Sequence, residues 1–194
     1  MANKTPKFLK LYYNQVQKRP VITQSLMASS MWMLGDTIAQ NFELRNSNAK
    51  NSSSFNYSRT LKMGAIGLLW NGPFSSWWLR RLDKTFGNSP KSVYKKLAAD
   101  QILQNPVLTG GIIFLVGVSN SLTFEKSAAV VKEELLSVMY RGWAFWVVVQ
   151  YFNFRFTPLN YRLLLIQCAS IVWNGYLSWR SNGAVSEIEA DKLD

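Results

Sequence analysis

MWMLGDTIAQ, residues Met31 to Gln40, sets one carboxylate into a stretch that is otherwise uncharged from Pro20 to Phe42. In water, Asp36 could cap a helix or look out from its exposed face. In a bilayer an acid at the centre of a helix costs about 3 kcal/mol on insertion scales, which makes it a functional candidate by default. The reading of Asp36 depends on the solvent, and the rest of the chain supplies that.

Uncharged runs recur at Val21–Gly35, Met63–Leu79, Gln101–Phe124, Gly142–Phe154 and Leu163–Trp179. A spanning helix needs roughly 20 mostly apolar residues, about 17 at the least. Lys62, Arg80, Arg81, Arg141, Arg155, Arg162 and Arg180 fall between or beside the runs. A soluble bundle would spread its charges along each helix at the 3.6-residue period. The pattern predicts an all-α membrane protein, a bundle of four transmembrane helices with an N-terminal amphipathic helix. The spans are expected at about 21–42, 61–80, 101–121 and 162–179, within a single domain over 1–182. Residues 123–141 read as a charged surface helix, and 142–156 as a short or broken span. Five tilted helices result if that aromatic piece also crosses. Residues 183–194 read as a flexible polar tail. Lys and Arg are only slightly biased to one side, so orientation stays open.

The net charge of +11 admits nucleic acid, an anionic membrane surface or anionic solutes as partners. Charge placed between apolar runs favours the bilayer, and no nucleic-acid partner is expected. The 194 residues contain no His and one Cys, Cys168. That removes His-based catalysis, His metal sites and an intrachain disulfide, so no enzyme, cofactor or metal is expected. The first 20 residues carry Lys4, Lys7, Lys10, Lys18 and Arg19 and no acid. Phe8, Leu11, Tyr12 and Val16 can share a helical face there, suiting the segment to an anionic surface. A secretory signal is not expected, and the Lys-rich, Ser-poor start is unlike a cleavable transit peptide.

Polar seams run through the spans. Ser25, Ser29, Trp32, Asp36 and Gln40 share one face of the first helix. Gly64, Gly67, Asn71 and Ser75 line the second, Asp100, Gln104, Gly111 and Asn120 the third, and Gln167, Ser170, Asn174 and Ser178 the last. Such groups let helices approach closely and bond across one another. Taken together with a mean hydropathy of −0.04, they also suit a hydrated interior. Pore-lining or gating candidates are Ser25, Ser29, Asp36, Gln40, Asn71, Asp100, Gln104, Gln150, Asn153, Gln167 and Asn174. For Asp36 the competing reading is an ion pair with Arg59, Lys62, Arg80 or Arg141. Gly72, Pro73, Pro106 and Pro158 are candidates for helix kinks. Trp77 and Trp78 suit the interface, with Arg80 and Arg81 snorkelling to headgroups.

LYYNQVQKRPVITQSL, LGDTIAQ, YSRTLKMGAIGLLWNGP, WWLRRLDKTFG, AADQILQNP and RGWAFWVVVQYFNFRFTPLNYRLLLIQCASIVWNGYLSW cover nearly the whole chain in order. In these pieces it resembles the family of small organellar membrane proteins named for the 22-kDa peroxisomal membrane protein and the Mpv-seventeen protein. The matching positions are Gly35–Asp36, Arg59, Gly72–Pro73, Asp100–Gln101, Pro106, Trp143, Gln150, Asn153, Phe154, Pro158, Arg162 and Trp173–Asn174. Val147 stands where the family usually has Pro, and Lys126 follows Glu125 where an acidic-Gly pair is usual. The resemblance implies four spans and a weakly selective channel for small solutes. In mitochondrial members it implies a link to nucleotide pools and mitochondrial DNA maintenance. The expected partners are the lipid bilayer, small polar solutes and a second copy of the chain in a homo-oligomer. The expected location is the mitochondrial inner membrane, with the peroxisomal membrane as the alternative. A non-conducting membrane scaffold is the competing function.

Overall fold

The computed structural model describes residues 7–46, 54–87 and 89–173. Among these, the chain forms six helices. They are α1 (Lys7–Lys18), α2 (Pro20–Asn46), α3 (residues 57–86), α4 (Ser92–Ser119), α5 (Phe124–Phe156) and α6 (Leu159–Trp173). The expected tail at 183–194 lies outside the described residues.

Proline sets most of the boundaries. The chain bends at Arg19, because Pro20 has no N–H to continue the α1 ladder. Thr157 is extended, at φ −95° and ψ 124°, since a residue before proline avoids the helical region. Pro158 therefore separates α5 from α6 and does not kink a span. Gly72–Pro73 and Pro106 lie inside α3 and α4, and each follows a single π-helical turn, Gly67–Asn71 and Asp100–Gln104. There the Gly72 N–H reaches Gly67 and the Asn105 N–H reaches Asp100, five residues back. The wider turn shifts the ladder just before the missing proline donor, so both helices continue through their prolines.

Two expected boundaries are corrected. The surface helix at 123–141 and the broken span at 142–156 are one helix of 33 residues, capped by the Thr123 side chain accepting from the Lys126 N–H. Val147 supplies the backbone donor that proline would remove. Arg141 is tolerated because it points outward, with Nη2 2.8 Å from Ser137 Oγ. The third run starts early as well. Ser89 and Ser92 bond at the start of α4, which leaves Asp100 two turns inside the helix.

α2 and α3 pack antiparallel through small residues. A Cβ on Gly72 would lie 2.4 Å from Ser25 Cα, and one on Gly67 3.1 Å from the Ala28 carbonyl oxygen. α4 packs along α5, α3 joins the two pairs, and α1 lies on α2. A compact apolar cluster of Leu79, Leu82, Val93, Phe154, Leu163 and Ile166 ties α3, α4, α5 and α6 together.

Burial runs opposite to that of a water-soluble bundle. Gln24, Asp36, Gln40, Asn71, Lys96, Asp100, Gln150, Asn153, Arg162 and Gln167 are buried. Leu26, Leu34, Leu69, Ile102, Leu103, Leu136, Val148 and Phe152 are exposed. Polar groups inside and apolar groups outside fit a hydrocarbon surround. Among the described residues, Ser92–Ser119 is the helix both long and apolar enough to cross a membrane, and Leu159–Trp173 is a shorter apolar helix.

Candidate functional site

A cavity of about 240 Å³ lies between α3, α4, α5 and α6, with Trp32 reaching in from α2. Its polar side is built on the two π turns. Asn71 closes the first, and Asp100, Gln101 and Gln104 belong to the second. A π turn widens the helix locally and turns its side chains out of the usual stacking, which is why such turns recur at functional sites. The rest of the lining is largely apolar and includes Leu108, Ile112, Ile113, Val138, Met139 and Trp146.

Asp100 is 1% exposed. Its Oδ1 accepts from Trp78 Nε1 at 3.2 Å, and its Oδ2 from Gln101 Nε2 at 3.0 Å and Gln150 Nε2 at 2.9 Å. All three donors are neutral, and no cation pairs with Asp100 among the described residues. Asn153 Nδ2 donates to Gln150 Oε1 at 2.9 Å, fixing that carboxamide with its donors toward the acid. Asn153 Oδ1 is buried without a partner. A second chain runs beside the first. Trp32 Nε1 donates to Gln167 Oε1 at 3.1 Å, and Gln167 Nε2 donates to Asn71 Oδ1 at 3.1 Å. Trp78 thus serves the site and is more than an interfacial anchor.

The candidates from the sequence divide. Asn71, Asp100, Gln104 and Gln150 line the cavity, and Asn153 and Gln167 stand one hydrogen bond behind it. Ser25 and Ser29 do not line it; both pack against the glycines of α3. Asp36 and Gln40 also lie away from this cavity, and of the four cations considered for Asp36 it is Arg59 that pairs with it. Arg59 Nε is 2.8 Å from Asp36 Oδ1, while Thr60 Oγ1 and Gln40 Nε2 each donate to Oδ2 at 2.7 Å. The other edge of the Arg59 guanidinium grips Glu43 at 2.7 and 3.1 Å. The Glu43 hydrogen bond, with Asp36 close behind, raises the Arg59 pKa against the opposing effect of burial. Gln40 also holds the Asn56 backbone, accepting from its N–H at 2.7 Å. This clasp staples the end of α2 to the start of α3. Asn174 lies outside the described residues.

Two features escaped the sequence reading. Asn105 and Thr109, joined at 2.9 Å, also line the cavity, and their spacing beside Pro106 was the available signal. The second feature is a buried triad. Asp83 of α3 bonds both Lys96 of α4 and Arg162 of α6. No local pattern marks it, because its members come from three helices.

Chemically, the cavity offers carboxamides and one carboxylate on one side and hydrocarbon on the other. It suits water and small polar solutes, which can exchange hydrogen bonds along the amides. No three His, Cys, Asp or Glu side chains converge as a metal site among the described residues.

The model of the Mpv17 / PMP22 family matches residues 117–178. The "Mitochondrial inner membrane protein Mpv17" of Danio rerio is 33% identical over 172 residues, covering 88% of this chain and 95% of that protein. Its namesake in Rattus norvegicus is also 33% identical, with 88% and 96% covered. "PXMP2/4 family protein 2" of Dictyostelium discoideum is 30% identical, with 87% and 88% covered. No solved structure matches the chain. With relatives this similar along almost their whole length, the chain belongs to the Mpv17 / PMP22 family and is a protein of the mitochondrial inner membrane.

Proposed function

We propose that the protein is a weakly selective conduit for small polar solutes, with the cavity beside Asp100 as part of its path. The observation that carries this reading is an amide- and carboxylate-lined space inside a bundle whose outer surface is apolar. In this reading the four expected spans, on α2, α3, α4 and α6, cross the bilayer, and α5 crosses as well in the five-helix alternative. α2 has 27 residues and α5 has 33, or about 40 and 50 Å of helix against a hydrocarbon core of about 30 Å. The reading assigns no catalytic step and no nucleic-acid partner, and it admits a homo-oligomer. A carboxylate without a paired cation repels anions, so support of mitochondrial nucleotide pools and DNA maintenance would run through neutral or cationic solutes. A peroxisomal role enters only through the PXMP2/4 relative.

A scaffold without conduction is the second reading, favoured by one observation. Asn71, Gln167 and Trp32 satisfy one another across three helices, as a purely structural network would. Conductance of the purified chain in planar bilayers separates the two. The conduit predicts conductance with cations preferred over anions, and a lower preference in Asp100→Asn. Folded protein that conducts nothing would leave the scaffold.

A further inference from the structure

On the far side of α3 from the cavity, a second group of polar atoms is buried without partners. Ser76 Oγ and two nitrogens of Arg80, Nε and Nη2, make no hydrogen bond, and Tyr12 Oη and Gln24 Oε1 lie beside them without a partner at normal hydrogen-bond geometry, although the Gln24 side chain is close enough to Tyr12 to stabilise its ionised form. They come from α1, α2 and α3. Tyr12 is 4% exposed, Gln24 2% and Ser76 1%. Ser76 and Arg80 lie one turn apart on the same face of α3. No carboxylate pairs with Arg80 among the described residues. Arg81, the next residue, is exposed, while Arg80 is half-buried.

Arg80 is half-buried, and two of its nitrogens and the hydroxyl of Ser76 are shut away from water without partners, which is unfavourable. The Nε and Nη2 pair forms the fork that grips two oxygens of a phosphate or carboxylate. Tyr12 and Ser76 add hydroxyl donors, and a half-turn of the Gln24 carboxamide adds another. Burial pushes the Tyr12 pKa up to about 12 despite the opposing influence of Gln24 and Arg80, so the hydroxyl keeps its proton. The surroundings suit an anion at a membrane surface, since Lys7, Lys10, Lys18 and Arg19 are exposed on and beside α1. α1 joins the bundle at the bend before Pro20, so the group lies next to a break in the helix.

We propose that Arg80, Tyr12, Ser76 and Gln24 form a binding site for a phosphate group at the seam of α1, α2 and α3. The phosphate is either the phosphodiester of an anionic phospholipid or a free phosphate ion. Both have the same oxygens to offer the fork, and the experiment separates them.

The test uses the full purified chain and vesicles of phosphatidylcholine with or without one part in five of phosphatidylglycerol. Binding of a fluorescent phosphatidylglycerol is measured for the parent, Arg80→Gln and Arg81→Gln. Both variants lose one positive charge, and a charge acting only through the general surface field is worth about fivefold. Arg80→Gln is expected to lose about tenfold or more, as hydrogen bonds to a charged partner do, and Arg81→Gln no more than the general field. Tyr12→Phe, which keeps the ring packing, is expected to lose a few-fold and guards against misfolding of Arg80→Gln. Millimolar inorganic phosphate that displaces the lipid from the parent but not from Arg80→Gln would assign the free ion; no displacement would assign the phospholipid. Equal losses in Arg80→Gln and Arg81→Gln, with no loss in Tyr12→Phe, would overturn the site.

Discussion

Asp36 and Asp100 begin from the same local sequence and end in different chemistry. Each lies in an apolar stretch with Gln four residues on, DTIAQ in one case and DQILQ in the other. At Asp36 the helix is regular, so Gln40 stacks one turn above and reaches back at 2.7 Å. Arg59 completes the clasp, and a carboxylate 6% exposed is neutralised by a cation. At Asp100 the five residues form a π turn, which displaces Gln104 from that stacking. Gln104 lines the cavity instead, and Asp100 takes neutral donors from Trp78, Gln101 and Gln150. The difference comes from Asn105–Pro106 just downstream, where the missing proline donor makes the wider turn favourable. Both acids bridge helices, but one is neutralised by a cation and the other takes only neutral donors beside a cavity.

The clasp can be broken from either partner. Arg59→Ala should cost the most, about 3 kcal/mol, since it strands Asp36 buried beside neutral donors. The 38% exposure of the Arg59 side chain holds the loss below that of a fully buried pair. Thermal unfolding in detergent reads it, and an unchanged midpoint would dissolve the contrast with Asp100. Gly72→Ala tests the helix contact beneath the clasp. Its new Cβ would meet Ser25 Cα at 2.4 Å, and backbone cannot swing aside, so about 2 kcal/mol is expected. Asp36→Asn should lose about 1–2 kcal/mol, because Arg59 retains Glu43 while the new amide turns a donor toward Gln40 and Thr60. In bilayers, solute conductance of Asp36→Asn should match the parent once the folded fraction is equalised.

The fold was legible where composition changes abruptly and obscure where it does not. Runs of uncharged residues mark the helices that carry them, and the glycine and serine faces of α2 and α3 mark the seam between them. Arg59 was one of four possible partners for Asp36, and only the antiparallel register chooses it. Charge at Arg141 made α5 look like two pieces. A helix tolerates such a residue on its outer face, where Ser137 and Glu134 lie one and two turns back. The π turns were invisible, since they reflect how the ladder adjusts to Pro73 and Pro106 and not the residues within them. The Asp83, Lys96 and Arg162 triad depends on three separate helices meeting, which no local pattern records.

Asp100→Asn is expected to move stability least and selectivity most. The variant removes a buried charge with no paired cation among the described residues, and that relief favours the folded state. It also replaces an acceptor with an amide donor facing Gln150 Nε2, whose orientation Asn153 fixes from behind. The two changes oppose each other, so the unfolding midpoint should shift by no more than about 1 kcal/mol. The lining keeps its size, because Asp and Asn are nearly isosteric, so conductance should persist. What disappears is the negative charge, and with it the preference for cations over anions in reversal-potential measurements. A stability loss as large as that of Arg59→Ala would make Asp100 a second clasp. An unchanged reversal potential in a conducting variant would place the solute path elsewhere in the bundle.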